Sequence, residues 1–243
     1  MIRVFGLVFA GSTDWLPWII GGVAAATVVT GVLGAAAHWD IRRILSFHII
    51  SQIGHMLVGI ALATPLALAG AVLYILHHIV VKANLFLVAG AIRRAGGSFS
   101  LAHLGGLWKR DPWLGILFAI PALSLAGLPP LSGFWGKLVV VQSGFEAGPF
   151  WLAAVALAVG LLTLYSMLKI WLEAFWKAAP QPPPPALAGN ARLLMLGPVA
   201  ALGLVTLTIG LWTEPFAAFA LSAGEQLAGR EAYIAAVLGG GSR

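Results

Sequence analysis

The sequence predicts an all-α polytopic membrane protein with about six transmembrane helices, one of them broken by proline. Three observations predict it. Hydrophobic residues make up 60% of the 243 and charged residues only 9%, where a soluble domain carries about a quarter charged. Apolar segments recur near 16–37, 44–64, 68–92, 113–145, 150–172 and 192–212, each at or above the roughly 20 residues a helix needs to cross a bilayer. The runs are continuous rather than alternating, and far longer than the roughly ten residues of a barrel strand.

The chain has no cysteine, which removes disulfide frameworks and thiolate metal sites and makes redox chemistry by this chain alone a poor reading. No cofactor is expected. The formal charge of +6 is spread over helix ends instead of one basic stripe, which argues against nucleic acid as a partner. Topology accounts for it better. With the loops assigned alternately to two sides, one side collects Arg42, Arg43, Arg93, Arg94, Lys109, Arg110, Lys177 and Arg192, and the other Arg3, Arg230 and Arg243. The positive-inside rule makes the first side cytoplasmic, in the inner or plasma membrane of the cell, and puts the C-terminal tail on the outer face.

Residues 1–12, with an apolar run too short to span or to serve as a signal peptide, read as the remnant of a preceding transmembrane helix. In the first span Ala26, Thr30 and Gly34 form a small-residue groove that suits close approach of another helix. Asp40 is placed to cap the second span, with Arg42 and Arg43 as interfacial anchors. The second span carries His48, Ser51, Gln52 and His55; the third runs through "LHHIVVKANLF" to Arg93 and Arg94. A Gly-rich connection leads to the fourth span, where Pro129 and Pro130 remove two backbone donors, so the helix must break there. Such a break is tolerated in hydrocarbon only where protein or water satisfies the freed carbonyls. Residues 13–178 thus form one five-helix unit. Residues 179–191 are a proline-rich cytoplasmic linker that reads as a spacer, residues 192–213 the final transmembrane helix, and residues 214–243 an interfacial tail. Its apolar face draws on Phe216, Phe219, Leu227, Tyr233, Ile234 and Val237.

Tyr74, His78 and Lys82 are spaced four apart, so they stack into a polar stripe about two turns long at mid-membrane depth. A lysine near the bilayer centre costs about 2.5–3.5 kcal/mol on insertion scales and must face protein or a wet cavity. A lone histidine is more often a satisfied interhelical donor, which is the reading for His77, about 100° around the helix. A lysine one turn from His78 is different, because intramembrane ionisable residues are functional by default; together the two can pass a proton. Lys137 follows Gly133 by about one turn. With Ser132 as N-cap of the second half-helix, its ammonium is expected near the positive end of that helix dipole; the rival reading is a lysine snorkelling to the outer interface. Half-helices that end near the midplane build ion sites in transporters. His48, His55, Tyr74 and Gln52 are candidate relay residues. Lys169 and Glu173 read as a structural surface pair. No metal site is expected: His77 and His78 are adjacent, and no third ligand stands at ligand spacing. No Asp or Glu lies in the middle of a span, and Na⁺, a hard cation, prefers oxygen ligands, so these residues suit protons. A carboxylate to partner the buried lysines must then come from elsewhere.

Four ordered motifs, "DIRRILSFHIISQIGHMLVGIAL", "LHHIVVKANLFLVAGAI", "LGGLWKRDPW" and "SLAGLPPLSGFWGKLVVVQSGF", resemble signatures of the antiporter-like subunits shared by respiratory complex I and Mrp-type multisubunit Na⁺/H⁺ antiporters. The stretch "SFHIISQIG" and the ending "EAYIAAVLGG" are most similar to the D branch of the Mrp type. The resemblance implies two inverted five-helix repeats, each with a broken helix and a lysine on a central hydrophilic axis, of which this chain matches the second. It puts Lys82 and His78 on the central lysine and histidine, and Lys137 on the lysine of the broken helix. Tyr74 and Gln52 stand where some relatives have histidine, and His55 where an aromatic residue is usual. The first repeat, with its glutamate and lysine, is not matched. The expectation is a proton-translocating subunit working with other subunits of a membrane complex in a lipid bilayer, exchanging protons for a monovalent cation, Na⁺ first. It is a secondary transporter component more than an enzyme. A proton-pumping subunit of complex I or a membrane-bound hydrogenase is the alternative, and an assembly subunit without transport the third.

Overall fold

The computed structural model describes residues 15–147, 150–182, 184–185 and 189–229, together with Val4 and Val237. The expected N-terminal remnant, Val4 excepted, and the tail residues Tyr233 and Ile234 lie outside the described residues. The described chain is helical, with no strand among the described residues. It comprises α1 (Leu16–Ala37), α2 (Ile41–Leu62), α3 (Pro65–Gly96), the short α4 (Leu107–Arg110), α5 (Pro112–Ala126), α6 (Ser132–Ala147), α7 (Phe150–Trp171), α8 (Gly189–Leu211) and α9 (Glu214–Ala228). Among the described residues, five helices are long and apolar enough to cross a membrane: α1, α2, α3, α7 with its π-helical extension Leu172–Trp176, and α8. The sixth crossing is made by α5 and α6 in series, so the fold is a polytopic all-α membrane protein.

Two girdles of exposed tryptophan bracket the bundle, as amphipathic rings do at the two membrane–water interfaces. Trp15, Trp18, Trp151 and Trp212 lie at one end, and Trp39, Trp113 and Trp176 at the other. The second end is also the basic one. Asp40 there accepts from the Arg42 and Arg43 amides (2.9 and 3.4 Å), capping α2, and pairs with the Arg42 side chain (2.9 Å). Ile41 N–H donates to Phe99 O and Leu101 N–H to Trp39 O, stitching the Gly-rich connection onto the cap. The guanidinium of Arg42 lies 4.2 Å from the centroid of the Phe99 ring.

The first span packs on a face other than the one predicted. Ala26 and Thr30 are exposed, and Gly21, Ala24, Val28, Gly31 and Ala35 are buried. A Cβ on Gly31 would stand 2.4 Å from Ser51 N, and one on Gly54 2.3 Å from Val28 Cγ2. Small residues on both α1 and α2 decide the face, because they let the two backbones touch. Gly34 does meet its neighbour, lying against Phe47. Lys169 and Glu173 do not pair either. The Lys169 ammonium donates to Ala36 O (2.8 Å) and His38 O (2.6 Å), closing the end of α1, and Glu173 bonds Lys177 (2.7 Å). The free carbonyls at a helix end are better fixed acceptors for Lys169 than a flexible carboxylate one turn away. In the tail, α9 docks on the start of α3 through Ala220 and Gly224, with Phe219 turned outward. A Cβ on Gly224 would stand 2.4 Å from Pro65 O, so closeness of backbone, rather than the expected aromatic face, seats this helix.

Candidate functional site

The break in the fourth crossing organises the interior. Helix α5 ends at Gly127, whose φ of +92° is open to glycine and strained for other residues, and residues 128–131 lead into α6. Lys137 then folds back. Its ammonium donates to Leu125 O (3.0 Å) and Ala126 O (2.9 Å), two carbonyls that the end of α5 leaves without helical donors. The expected place at the positive end of α6 is therefore corrected to the negative end of α5. Side chains lean toward their own helix N-terminus, which carries the four-carbon stem back to the break, and an ammonium can bond carbonyls but not amides. The same contacts turn the ammonium toward the break. Half-buried, Lys137 borders a groove of about 340 Å³ between α6 and α7.

Ser132 does not cap α6 as expected. Its hydroxyl lies 2.8 Å from His77 Nδ1 and 2.9 Å from Ser124 Oγ, while Gly133 N–H donates to Ser124 Oγ (3.2 Å). The hydroxyl on the end of α5 supplies the cap because the fold brings it within reach, and this frees Ser132 to face α3. His77 is, as read from its angle, a histidine hydrogen-bonded between helices, but its partner is the break itself. Gly133 makes room: a Cβ there would lie 1.9 Å from Ser124 O and 2.8 Å from His77 Cε1.

From His77 the polar side chains continue across α3 to α2. The Tyr74 and His77 rings are 5.5 Å apart, and Tyr74 and His55 stack at 5.6 Å. The Tyr74 hydroxyl donates to Gln52 Oε1, and His55 Nδ1 lies 3.2 Å from Ser51 O. His78 and Lys82 follow at one-turn intervals on the Tyr74 face of α3. Lys82, 6% exposed, donates to Leu45 O on α2 (3.0 Å), about one turn before the fully buried His48. The structure thus gathers Lys82, His78, Tyr74, Gln52, His55 and His48 on α2 and α3, continues through His77 and Ser132 to Ser124 on α5, and places Lys137 on the carbonyls of the next two residues of α5, Leu125 and Ala126. His77, Ser132 and Ser124 were not among the sequence candidates. The signal that could have found them is a serine on each side of the Pro129–Pro130 break.

Among the described residues, six buried side-chain nitrogens have no hydrogen-bond partner: both of His48, Gln52 Nε2, and Nε2 of His55, His77 and His78. All six lie in this band. Buried polar atoms in native proteins are paired by protein or ordered water, and a polar lining with several convergent partners is what lets a cavity hold water. The described carboxylates, Asp40, Asp111, Glu146, Glu173, Glu214 and Glu225, stand at helix ends or in loops, so backbone carbonyls hold both lysines. No group of three His, Asp or Glu gathers at metal-binding distance among the described residues.

Residues 1–163 match the family described as NADH:quinone oxidoreductase/Mrp antiporter, TM. The chain belongs to this family. The D subunit of the Na(+)/H(+) antiporter of Alkalihalophilus pseudofirmus is 44% identical over 98% of this chain and 48% of its own length. Its counterpart in Bacillus subtilis is 40% identical over 97% and 48%. Among solved structures, the Mrp complex from Dietzia sp. contains a chain with a TM-score of 0.87 and 34% identity, covering 98% of this chain and 52% of that one. Respiratory complex I from Thermus thermophilus contains one at 0.76 and 26%, covering 94% and 49%. The chain spans about half the length of the curated relatives it matches.

Proposed function

We propose that this chain is the C-terminal half of a proton-translocating component, of the Mrp D type, in a multisubunit Na⁺/H⁺ antiporter, and that Lys82, His78 and Lys137 lie on its proton path. The observation that carries the proposal is the buried polar band from Lys82 to the helix break, with its lysines held by carbonyls instead of carboxylates. Proton passage along the band would need water beside the unpartnered nitrogens, with Tyr74, Gln52, His48, His55 and His77 as relay. Pro129, Pro130 and Gly133 form the break through which Lys137 meets the band. The five-helix unit 13–178 is the working part, 179–191 the linker, 192–213 the last crossing and 214–243 the tail. Protons and Na⁺ are the transported ions, and the partners are the other subunits of the complex, which supply the missing carboxylate. The complex sits in the cell membrane with the basic end cytoplasmic and the tail outside. The likeness to a complex I chain favours one alternative machine, a redox-driven pump with the same fold.

The test is sodium-dependent proton transport in inverted vesicles from antiporter-deficient cells. The chain is expressed with its chromosomal neighbours, as encoded and as Lys82→Ala. Loss of transport with assembly intact supports the proposal; unchanged transport in both Lys82→Ala and Lys137→Ala overturns it in favour of an assembly role. Proton movement that requires a quinone and not sodium favours the redox-driven machine.

A further inference from the structure

At the basic end, away from the polar band, we propose that the cavity bounded by Arg94, Arg110 and Arg192 binds the phosphodiester headgroup of an anionic phospholipid. The cavity, about 240 Å³, lies where the end of α3 meets the starts of α5 and α8. That is the volume of about eight liquid water molecules, room for a phosphodiester with part of its glycerol.

Two of its guanidiniums are fixed in advance. Arg110 donates to Ala95 O (2.8 Å) and to Pro184 O, using two of its five N–H groups. Arg192 pairs with Asp111 (2.8 Å), whose carboxylate also accepts from Leu114 N–H. Arg94, on the third side, forms no hydrogen bond or ion pair among the described residues. Three guanidiniums and one carboxylate leave a formal charge of 3 − 1 = +2 on the lining, and the carboxylate is already engaged by Arg192. Guanidinium is the donor that matches phosphate oxygens in pairs, and basic pockets between transmembrane helices at the cytoplasmic side suit anionic headgroups.

The surroundings favour a lipid over a free anion. Trp113 lies in the first turn of α5 with 64% of its surface exposed, and Leu193 and Leu194 follow Arg192 at 70% and 77%. An interfacial tryptophan and bare apolar helix surface below the arginines give acyl chains a place to lie. Pro185 lines the cavity and Arg110 bonds its neighbour Pro184, which gives these two prolines a role beyond that of spacer.

The test uses the intact complex, purified with its neighbours, delipidated and reconstituted. Phosphatidylglycerol, phosphatidylcholine and inorganic phosphate are the probes, and bound lipid is counted by native mass spectrometry. The expected result is retention of phosphatidylglycerol over phosphatidylcholine, weakened about five-fold by Arg94→Gln, the size of one basic residue at an anionic surface. Arg93→Gln, whose guanidinium lies 5.1 Å from the Phe99 ring centroid, leaves retention unchanged. Equal losses from the two variants mean diffuse surface attraction and overturn the site. Displacement of the lipid by millimolar phosphate makes it a free-anion site and overturns the lipid assignment, as does an acidic protein of the complex that binds through Arg94 in place of lipid. A photoreactive phosphatidylglycerol that labels the start of α8 in the unsubstituted chain supports the site without any variant; labelling confined to other helices counts against it.

Discussion

Gly133→Ala probes the helix break with a single methyl group. The added carbon would lie 1.9 Å from Ser124 O, a backbone atom, with His77 Cε1 and Nε2 at 2.8 and 2.9 Å. Ordinary contact needs a separation greater by more than about 1 Å, so the end of α5 and the start of α6 must part or His77 must leave. Either movement strains three contacts: His77 to Ser132 (2.8 Å), Ser132 to Ser124 (2.9 Å) and Gly133 N–H to Ser124 Oγ (3.2 Å). Overpacking of a filled interior costs about 1–3 kcal/mol, and each net hydrogen bond adds about 1 kcal/mol. With all three lost, the expected destabilisation is therefore about 4–6 kcal/mol. It is measured as thermal unfolding of the detergent-purified complex beside sodium-dependent proton transport in vesicles. Unfolding is expected several degrees lower, with transport lost in whatever fraction assembles. A variant that keeps both its unfolding temperature and its transport rate would refute the reading of the break as a packed junction on the proton path.

Lys137→Met strips the donors from Leu125 O and Ala126 O and is expected to cost about 2 kcal/mol or more. Lys137→Arg, which keeps donors but cannot release a proton, restores thermal stability without restoring transport; transport by the arginine variant would argue against a proton-carrying role. Gly224→Leu sets a side chain against Pro65 O and Ala69 N, and is expected to release α9, seen as faster hydrogen exchange over residues 214–228. Lastly, the Arg42 side chain and the two amides at the start of α2 hold the Asp40 carboxyl below its ordinary 3.8. That contribution is present at pH values above about 4 and fades as pH falls through the lower folded value. Asp40→Asn should therefore lose stability at neutral pH and show a flatter acid limb than the unsubstituted chain in a pH series of unfolding temperatures.

The helices were legible because hydropathy over some twenty residues outweighs any single side chain, and Pro129–Pro130 announced their own break. Cap chemistry was legible at Asp40, where donor and acceptor are sequence neighbours. It was not legible at Ser132, whose hydroxyl is claimed by His77 from 55 positions away and by Ser124 from eight. Lys137 failed for a related reason: the nearest helix terminus in sequence is the start of α6, yet the acceptors it can use belong to α5. The packing face of α1 does not follow from small residues in general, since Ala26 and Thr30 are small too, whereas Gly31 alone lets the Ser51 backbone close in. Sequence spacing predicted the α3 stripe of Tyr74, His78 and Lys82; it could not supply the partners on α2, since helix registers relative to one another are tertiary facts.

Two fixed carbonyls can hold the Lys137 nitrogen in one place in either charge state, although the negative end of α5 favours the ammonium. An ammonium spends two of its three N–H groups on Leu125 O and Ala126 O; a neutral amine still has two to spend and turns a lone pair outward where the third hydrogen stood. Unlike a carboxylate, neither carbonyl can accept the proton for keeps or let go when it leaves. If Lys137 carries protons as proposed, loading and unloading would alter the electric field across the break while the side chain stays put, and the moving part would be the proton itself.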